Sequence, residues 1–473
     1  MQTQFRNPLR RSAATVLSFL AVVALAPAQV PAEKASALDQ ILARLDRLER
    51  QNRELAEEVH ALRNELALSN NHSSTESKVT VATGVTAADG GQPISVNERL
   101  DVQERRLEEQ AQTKVESSQH LPVRITGMAL FNAFLNSRPS DNLVVPVLAP
   151  GSGGSLSGGA TLRQTILGLD FRGPEVLGGG KIHGFINMDF FGGSREPYDS
   201  LLRIRTAGLE INWENTSVMF GQDKPLIAPR EPNSLAQVGL SPLTGAGNLW
   251  VWQPQMRVEQ RLHLDERTSF RAQVGLIGTR EDYGYVPPAY ASSLQNQRPA
   301  LQGRFSLAHN LDDERRIEIG SGFDTSTTHV AGATVPSRAL AFDWFANPWR
   351  KLEFSGAFFR GQNLANLGGI GQGFTIVDYE NVIPVHSDGG WTQLSFLVAP
   401  RLTFNLFGGQ QDNRNRDLRY YGVDKNQAYA ANLMFRLAPN VILSLETGQV
   451  RTTYLGVGNR LINHHDLSFA YLF

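Results

Sequence analysis

The spacing of apolar residues changes twice along the chain, and each change marks a different kind of element. Residues 13–26 form one short apolar run, AATVLSFLAVVALA, behind Arg6, Arg10 and Arg11. Ala26-Pro27-Ala28 follows as an A-x-A site. A basic start, a short apolar middle and a small-residue cut predict a secretory signal over residues 1–28. From Leu38 the apolar positions step by three and four: Leu38, Ile41, Leu45, Leu48, Asn52, Leu55, Val59, Leu62, Leu66. This is heptad spacing with one polar intruder, Asn52, and it predicts a coiled-coil oligomerisation helix over 36–68. Arg44 with Glu49, and Glu58 with Arg63, supply complementary flanking charges. The mix of Leu, Val and Ile leaves the number of chains open. Residues 69–120 read as a linker rich in Ser, Thr, Asn and Gly, with a short second helix around Leu100 and Leu107.

Beyond Leu121 the period drops to two. Val123, Ile125, Ala129, Phe131, Ala133 and Leu135 share one parity, and Arg124, Thr126, Asn132 and Asn136 the other. Ile182-Gly184-Ile186-Met188-Phe190, Phe270-Ala272-Val274-Leu276 and Tyr429-Ala431-Leu433-Phe435-Leu437 repeat the pattern. Alternation alone fits a soluble sandwich as well as a membrane barrel. Three features select the barrel. Tight turns such as 214–216 and 312–314 alternate with long polar loops at 137–160, 225–247, 278–298 and 361–390. The polar parity carries arginine, carboxylate and amide, too wet for a sandwich core but suited to a water-filled lumen. The chain ends LSFAYLF, with an aromatic last residue on an apolar face. The fold class predicted for residues 121–473 is therefore all-β, a transmembrane antiparallel β-barrel. Sixteen strands are expected, starting near residues 121, 161, 181, 202, 217, 249, 268, 299, 315, 338, 351, 391, 401, 426, 441 and 463. A further pair inside 278–298 or 361–390 would make eighteen. One conflict stands out: Arg203 and Arg205 share the parity of Ala207, Leu209 and Ile211, which calls for a bulge or for arginines above the lipid.

Composition narrows the chemistry. The 473 residues include 45 Lys+Arg, 46 Asp+Glu and no cysteine. A net charge of -1 argues against nucleic-acid binding, which needs excess positive charge. Zero cysteine excludes disulfide frameworks, thiolate metal sites and a cysteine nucleophile. No catalytic order stands out, and no cofactor or metal is expected. His464-His465 read as polar residues of the last strand, and GPEVLGGGKI as a turn. Trp213, Trp250, Trp252, Trp344, Trp349 and Trp391 are expected in interfacial girdles.

The order of signal, coiled coil, KVESSQHLPVRITGMALFNAF, RIRTAGLEI, VMFGQDKP, GNLWVWQPQMRVE and terminal Phe resembles the DcaP-type trimeric porins, relatives of the phosphate-selective porins. The resemblance implies a homotrimer of sixteen-stranded barrels in the bacterial outer membrane. Each barrel would have a constricting loop, and the coiled coil would stand in the periplasm. It implies passage of small anionic solutes, although 31 Lys+Arg against 30 Asp+Glu from residue 121 onward make a strong anion filter unexpected. The loop after Gln222, stiffened by Pro225, Pro229, Pro232 and Pro242, is the constriction candidate, carrying Lys224 and Arg230. Arg124, Arg163, Arg257, Arg261 and Arg304 lie on the polar parity and are assigned to pore lining, with Glu259 as a lumen carboxylate. Arginine suits the role because guanidinium stays charged and grips oxyanions bidentately. The bland alternative is that these arginines pair with carboxylates to hold the barrel round. The expected function is passive diffusion of small hydrophilic solutes with a mild anion preference. The expected partners are outer-membrane lipid, further copies of the chain and those solutes. A tether to the cell wall and a lipid-hydrolysing barrel enzyme are the rival functions.

Overall fold

A computed structural model describes residues 123–473 except 152, 194–196, 198, 282–285 and 296. The expected signal (1–28), coiled coil (36–68) and linker (69–120) lie outside the described residues. The strands are β1 (Val123–Asn136), β2 (Ser157–Thr161), β3 (Ile166–Val176), β4 (Gly180–Gly192), β5 (Leu201–Asn212), β6 (Thr216–Asp223), β7 (Gln253–His263), β8 (Thr268–Arg280), β9 (Gln297–Asn310) and β10 (Arg316–Val330). They continue as β11 (Ala333–Trp349), β12 (Leu352–Gln362), β13 (Phe374–Asp378), β14 (Asn381–Pro384), β15 (His386–Ala399), β16 (Leu402–Asn413), β17 (Val423–Ala438), β18 (Val441–Tyr454) and β19 (Gly458–Leu472).

β13 and β14 pair only with each other. β2 and β3 both pair with β1 and act as one barrel strand interrupted at 162–165. The others pair antiparallel with their chain neighbours, β12 meeting β15 across the hairpin. β19 returns to β1, with Ala129 facing Tyr471 and Asn132 facing Ser468. Gly127 and Phe473 exchange backbone hydrogen bonds of 2.9 and 3.1 Å at this seam. The result is a closed ring of sixteen strands with no open edge, the condition for a sheet to stand in hydrocarbon. The pair hidden within 361–390 exists, but as a hairpin outside the ring.

Alternation fixes which face is wet. Leu301, Phe305, Val274, Leu406, Leu445 and Phe469 are exposed on the outer surface. Asn132, Gln302, Asn405, Asn426, Ser444 and Thr452 are buried on the inner one. In water such an apolar exterior would be an aggregation surface; around a barrel it is the lipid-facing belt. The interior is polar, as a lumen requires.

Chain direction sorts the connections into two rims. One carries 177–179, 213–215, 264–267, 311–315, 350–351, 400–401 and 439–440 with both ends of the barrel chain. The other carries the long connections, including 137–156, 224–252 and 363–385. It also holds two tight hairpins, 455–457 and Ala331-Gly332, the latter with φ of 50° and 77°. Two consecutive positive φ values make the turn whose twist matches its strands.

The arginine conflict resolves as a bulge. Asn187 faces Thr206 while Met188 faces Ile204, leaving Arg205 as the extra residue. Arg203 and Arg205 thereby turn inward while Ile204 and Leu209 stay outside.

Candidate functional site: the loop inside the barrel

The connection 224–252 folds into the lumen and follows the inner wall. Its backbone belongs to no strand, and beyond its own turns, one bridge between Thr244 and Asn248 and bonds to Leu367 and Gly368, wall side chains satisfy it. Gln302 of β9 accepts from Leu226 N at 2.8 Å. Gln393 of β15 accepts from Asn233 N at 2.6 Å. Asn432 of β17 donates to Asn233 O, and Glu446 of β18 accepts from Ser234 Oγ at 2.6 Å. Asn132 of β1 donates to Leu235 O. Gln164 donates to Ala236 O and accepts from Val238 N and Gly239 N. Arg205 and Arg203 close the circuit on Val238 O and Gly239 O at 2.7 and 2.6 Å. Amides therefore do most of this tethering, and they do so without adding net charge to the lumen.

Apolar contacts lock the same loop. Ile227, Ala228 and Leu249 pack with Ala339, Phe359, Leu364 and Leu367. Leu243 and Ala246 pack with Trp391, Phe407 and Ala430. Gly247 has φ of 101°, and a Cβ there would stand 2.2 Å from Gly390 O. Only glycine lets the loop lie this close to the wall.

Charges concentrate where the loop leaves and meets the wall. Arg257 pairs with Asp223 at 2.8 Å, and Lys224 with Glu231 at 2.7 Å. Arg230 reaches Glu318 at 2.6 Å and lies over the Phe345 ring. Arg304 grips Asp343 through Nε and one terminal nitrogen at 2.9 and 2.8 Å. Arg203 and Arg205 both meet Asp189 and lie over Trp252. These are six cations against five carboxylates. Burial works to raise the Glu231 carboxyl, but Lys224, the Ser241 hydroxyl and Arg205 outweigh it and hold it below the usual range.

The residues singled out from sequence fall into three groups. Lys224, Arg230 and Arg257 stand together at the loop, partly exposed. Arg304 is 2% exposed and locked in the wall, and Arg163 is 1% exposed. Arg163 donates to Gly192 O at 2.9 Å and lies over Phe191. Both arginines hold wall geometry. Arg124 and Arg261 lie near the short-turn rim, Arg261 pairing with Glu259 at 2.6 Å. Glu259 also meets Arg271 and accepts from Gln273.

Three of the six tryptophans depart from the girdle expectation. Trp391 faces inward beneath the loop, Trp250 is buried against Leu367, and Trp252 stacks under two guanidiniums. Each contact involves the inward-folded loop, which covers Trp391 and carries Trp250 and Trp252, and alternation along one strand does not reveal it. The sequence reading also missed Gln164, Asn132, Asn432, Gln393 and Glu446. Their signal was available as amides and a carboxylate on the lumen parity.

A closed, wet sixteen-stranded barrel with a loop folded into it defines the architecture of outer-membrane diffusion channels. Solved structures are similar to it in fold, two of them outer-membrane channels. The DcaP outer-membrane channel of Acinetobacter baumannii matches with a TM-score of 0.61 at 18% identity, over 74% of this chain and 97% of that one. An anion-selective porin from Comamonas acidovorans matches at 0.50 and 11% identity, over 74% of this chain and 99% of that one. No protein-family model and no curated protein sequence matches the chain. The sequence resemblance to DcaP-type porins is thus met by a DcaP channel as a structural neighbour, at the level of fold.

Proposed function

We propose that this protein is an outer-membrane porin, a passive channel for small hydrophilic solutes with a mild anion preference, working as a homotrimer. The observation that carries the reading is the lumen itself. Charged and amide side chains line it, and loop 224–252 narrows it while the apolar residues face outward. A rigid narrowing lined by fixed charge is what discriminates among permeating ions. Most of the charge at the loop cancels in pairs, which supports a weak bias, and the partly exposed Lys224, Arg230 and Arg257 give its sign. Lys224, Arg230 and Arg257 are the residues assigned to that bias. Arg163 and Arg304 are assigned to holding the wall, with Arg124 and Arg261 at the periplasmic mouth. The coiled coil over 36–68 is assigned to the periplasm as a trimerisation device.

Planar-bilayer recording of the purified protein tests this directly. Conductance steps in triplets are expected, with reversal potentials in a salt gradient favouring anions by a small factor. Arg230→Ala and Arg257→Ala should each move the ratio toward cations. Silent bilayers would overturn the channel, and an unchanged ratio in both variants would overturn the arginine assignment.

A further inference from the structure

The outer surface is not uniform. On β8 the outward positions Phe270, Ala272, Val274, Leu276 and Gly278 carry no charge before Arg280 at the strand's end. Across β11–β17 the apolar belt stops earlier, and a row of charges runs above it toward the long-loop rim. Register places Leu340 opposite Arg360, Arg360 opposite Asp388, Asp388 opposite Asp412 and Asp412 opposite Lys425. Arg360 pairs with Asp388 at 3.2 Å and Lys425 with Asp412 at 2.6 Å. Arg338 stands one outward position above Leu340, and Arg414 follows β16. Among the described residues neither has a carboxylate partner. Arg338, Arg360 and Arg414 line a surface hollow of about 630 Å³ together with Asp324, Asp388 and Asp412. Asp324 is buried and bonded to Gln302, Asp388 and Asp412 pair with Arg360 and Lys425, and Arg338 and Arg414 are left over.

A second hollow of about 800 Å³ continues below, sharing Asp388 and Asp412 with the first. Gly390, Gly408 and Thr392 line it, with Trp344, Phe358 and Tyr429. Gln410 and Gln427, which hydrogen-bond each other at 3.1 Å, face the same space. Beneath it the surface is Leu394, Leu406 and Leu433. The vertical order is therefore unpaired guanidinium, then amides and aromatic rings over a glycine floor, then aliphatic belt.

We propose that this groove seats a phosphorylated glycolipid of the outer leaflet, the lipid A class. Arg338 and Arg414 would hold its phosphates, since guanidinium binds phosphate through paired hydrogen bonds. The sugar rings lie between Trp344, Phe358 and Tyr429, with the glutamines reaching their hydroxyls. The acyl chains continue down the leucine surface. The concavity favours a lipid over a second copy of the barrel, whose convex wall would leave the hollows empty. This inference rests on the outer-membrane reading above.

The test is native mass spectrometry of the full chain in detergent, titrated with bisphosphorylated lipid A, dephosphorylated lipid A or phosphatidylglycerol. Wild type should retain the bisphosphorylated form at about tenfold lower concentration than the other two. Arg338→Ser/Arg414→Ser should abolish that preference, and Arg338→Lys/Arg414→Lys should keep most of it. Channel conductance is recorded on the same preparations to verify folding. Normal conductance without lipid preference sinks the glycolipid seat and leaves the porin standing. Lipid preference without conductance does the reverse. Loss of oligomer mass in the serine variant, with lipid binding unchanged, would make the groove a contact between copies and also overturn the proposal.

Discussion

Arg304 and Arg360 each face an aspartate across the strands, one on the inside of the barrel and the other on the outside. Arg304 and Asp343 are 2% and 3% exposed, and the guanidinium forks onto the carboxylate. Arg360 and Asp388 are 70% and 50% exposed, with a single contact of 3.2 Å. The inner pair is also shared, since Glu318 reaches Arg304 at 3.3 Å and Arg230 joins from the loop. Identical chemistry thus does two jobs. Inside, desolvated charges fix where the loop lies; outside, hydrated charges remain available to a ligand. Breaking a buried pair leaves a charge without compensation, whereas an exposed pair exchanges one hydrated state for another.

The largest effect is expected from Asp343→Ala. It takes the forked partner from Arg304, leaving only the 3.3 Å contact to Glu318, and weakens the hold on Arg230, at a cost of about 3 kcal/mol. Urea unfolding of the barrel in lipid vesicles, followed by tryptophan fluorescence, measures it. Arg304→Met added to Asp343→Ala should recover part of the loss, because no buried charge then remains unmatched. A loss under about 1 kcal/mol for the single variant would place the inner pair with the outer one.

Next comes the loop's closest approach to the wall. Gly247→Val puts a Cβ against the backbone oxygens of Gly390 and Gln410, at 2.2 and 2.6 Å, and strains a residue at φ of 101°. The loop must lift inward, at roughly 1–3 kcal/mol. Single-channel conductance should fall while the barrel's circular dichroism is unchanged. Unaltered conductance would mean that the loop does not set the narrowest section.

How much of this was legible in the sequence divides along the same line. The wall was legible, because period two, two sizes of connection and an aromatic end are local features. The bulge at Arg205 announced itself as a parity conflict before its register was known. The loop's path was not legible. It depends on Gln164, Asn132 and Asn432, which meet loop atoms 72, 103 and 199 positions away. Such contacts exist only once the ring closes. Trp391 and Phe407 were equally opaque, being apolar residues on a wet parity until Leu243 and Ala246 cover them.

A smaller effect concerns pH. Glu231 is held below the usual carboxylate range, so it stays ionised as the solution is acidified through that range. The sign follows from linkage: a depressed folded value stabilises above the unfolded value, and that contribution is lost only as pH falls through the folded one. Wild type and Glu231→Gln should therefore still differ in ion selectivity across the ordinary glutamate range and converge only below it. Convergence already at pH 6 would show that Lys224 does not control this carboxyl.

The smallest effect is expected from Arg360→Ala, and it separates the two regions most sharply. An exposed pair is worth about 0–1 kcal/mol because water already stabilises both partners, and added salt screens what remains. Unfolding should therefore shift by less than about 1 kcal/mol and should shift less still in 0.5 M salt. Asp388→Asn should behave alike, whereas Asp343→Ala should be insensitive to salt because its surroundings exclude the ions. A cost above about 2 kcal/mol for Arg360→Ala would mean that the outer row is dehydrated in the membrane. It would then sit either at hydrocarbon depth or against another subunit. In that case inner and outer pairs would differ in position alone, and the outer row would not be a hydrated surface facing lipid headgroups.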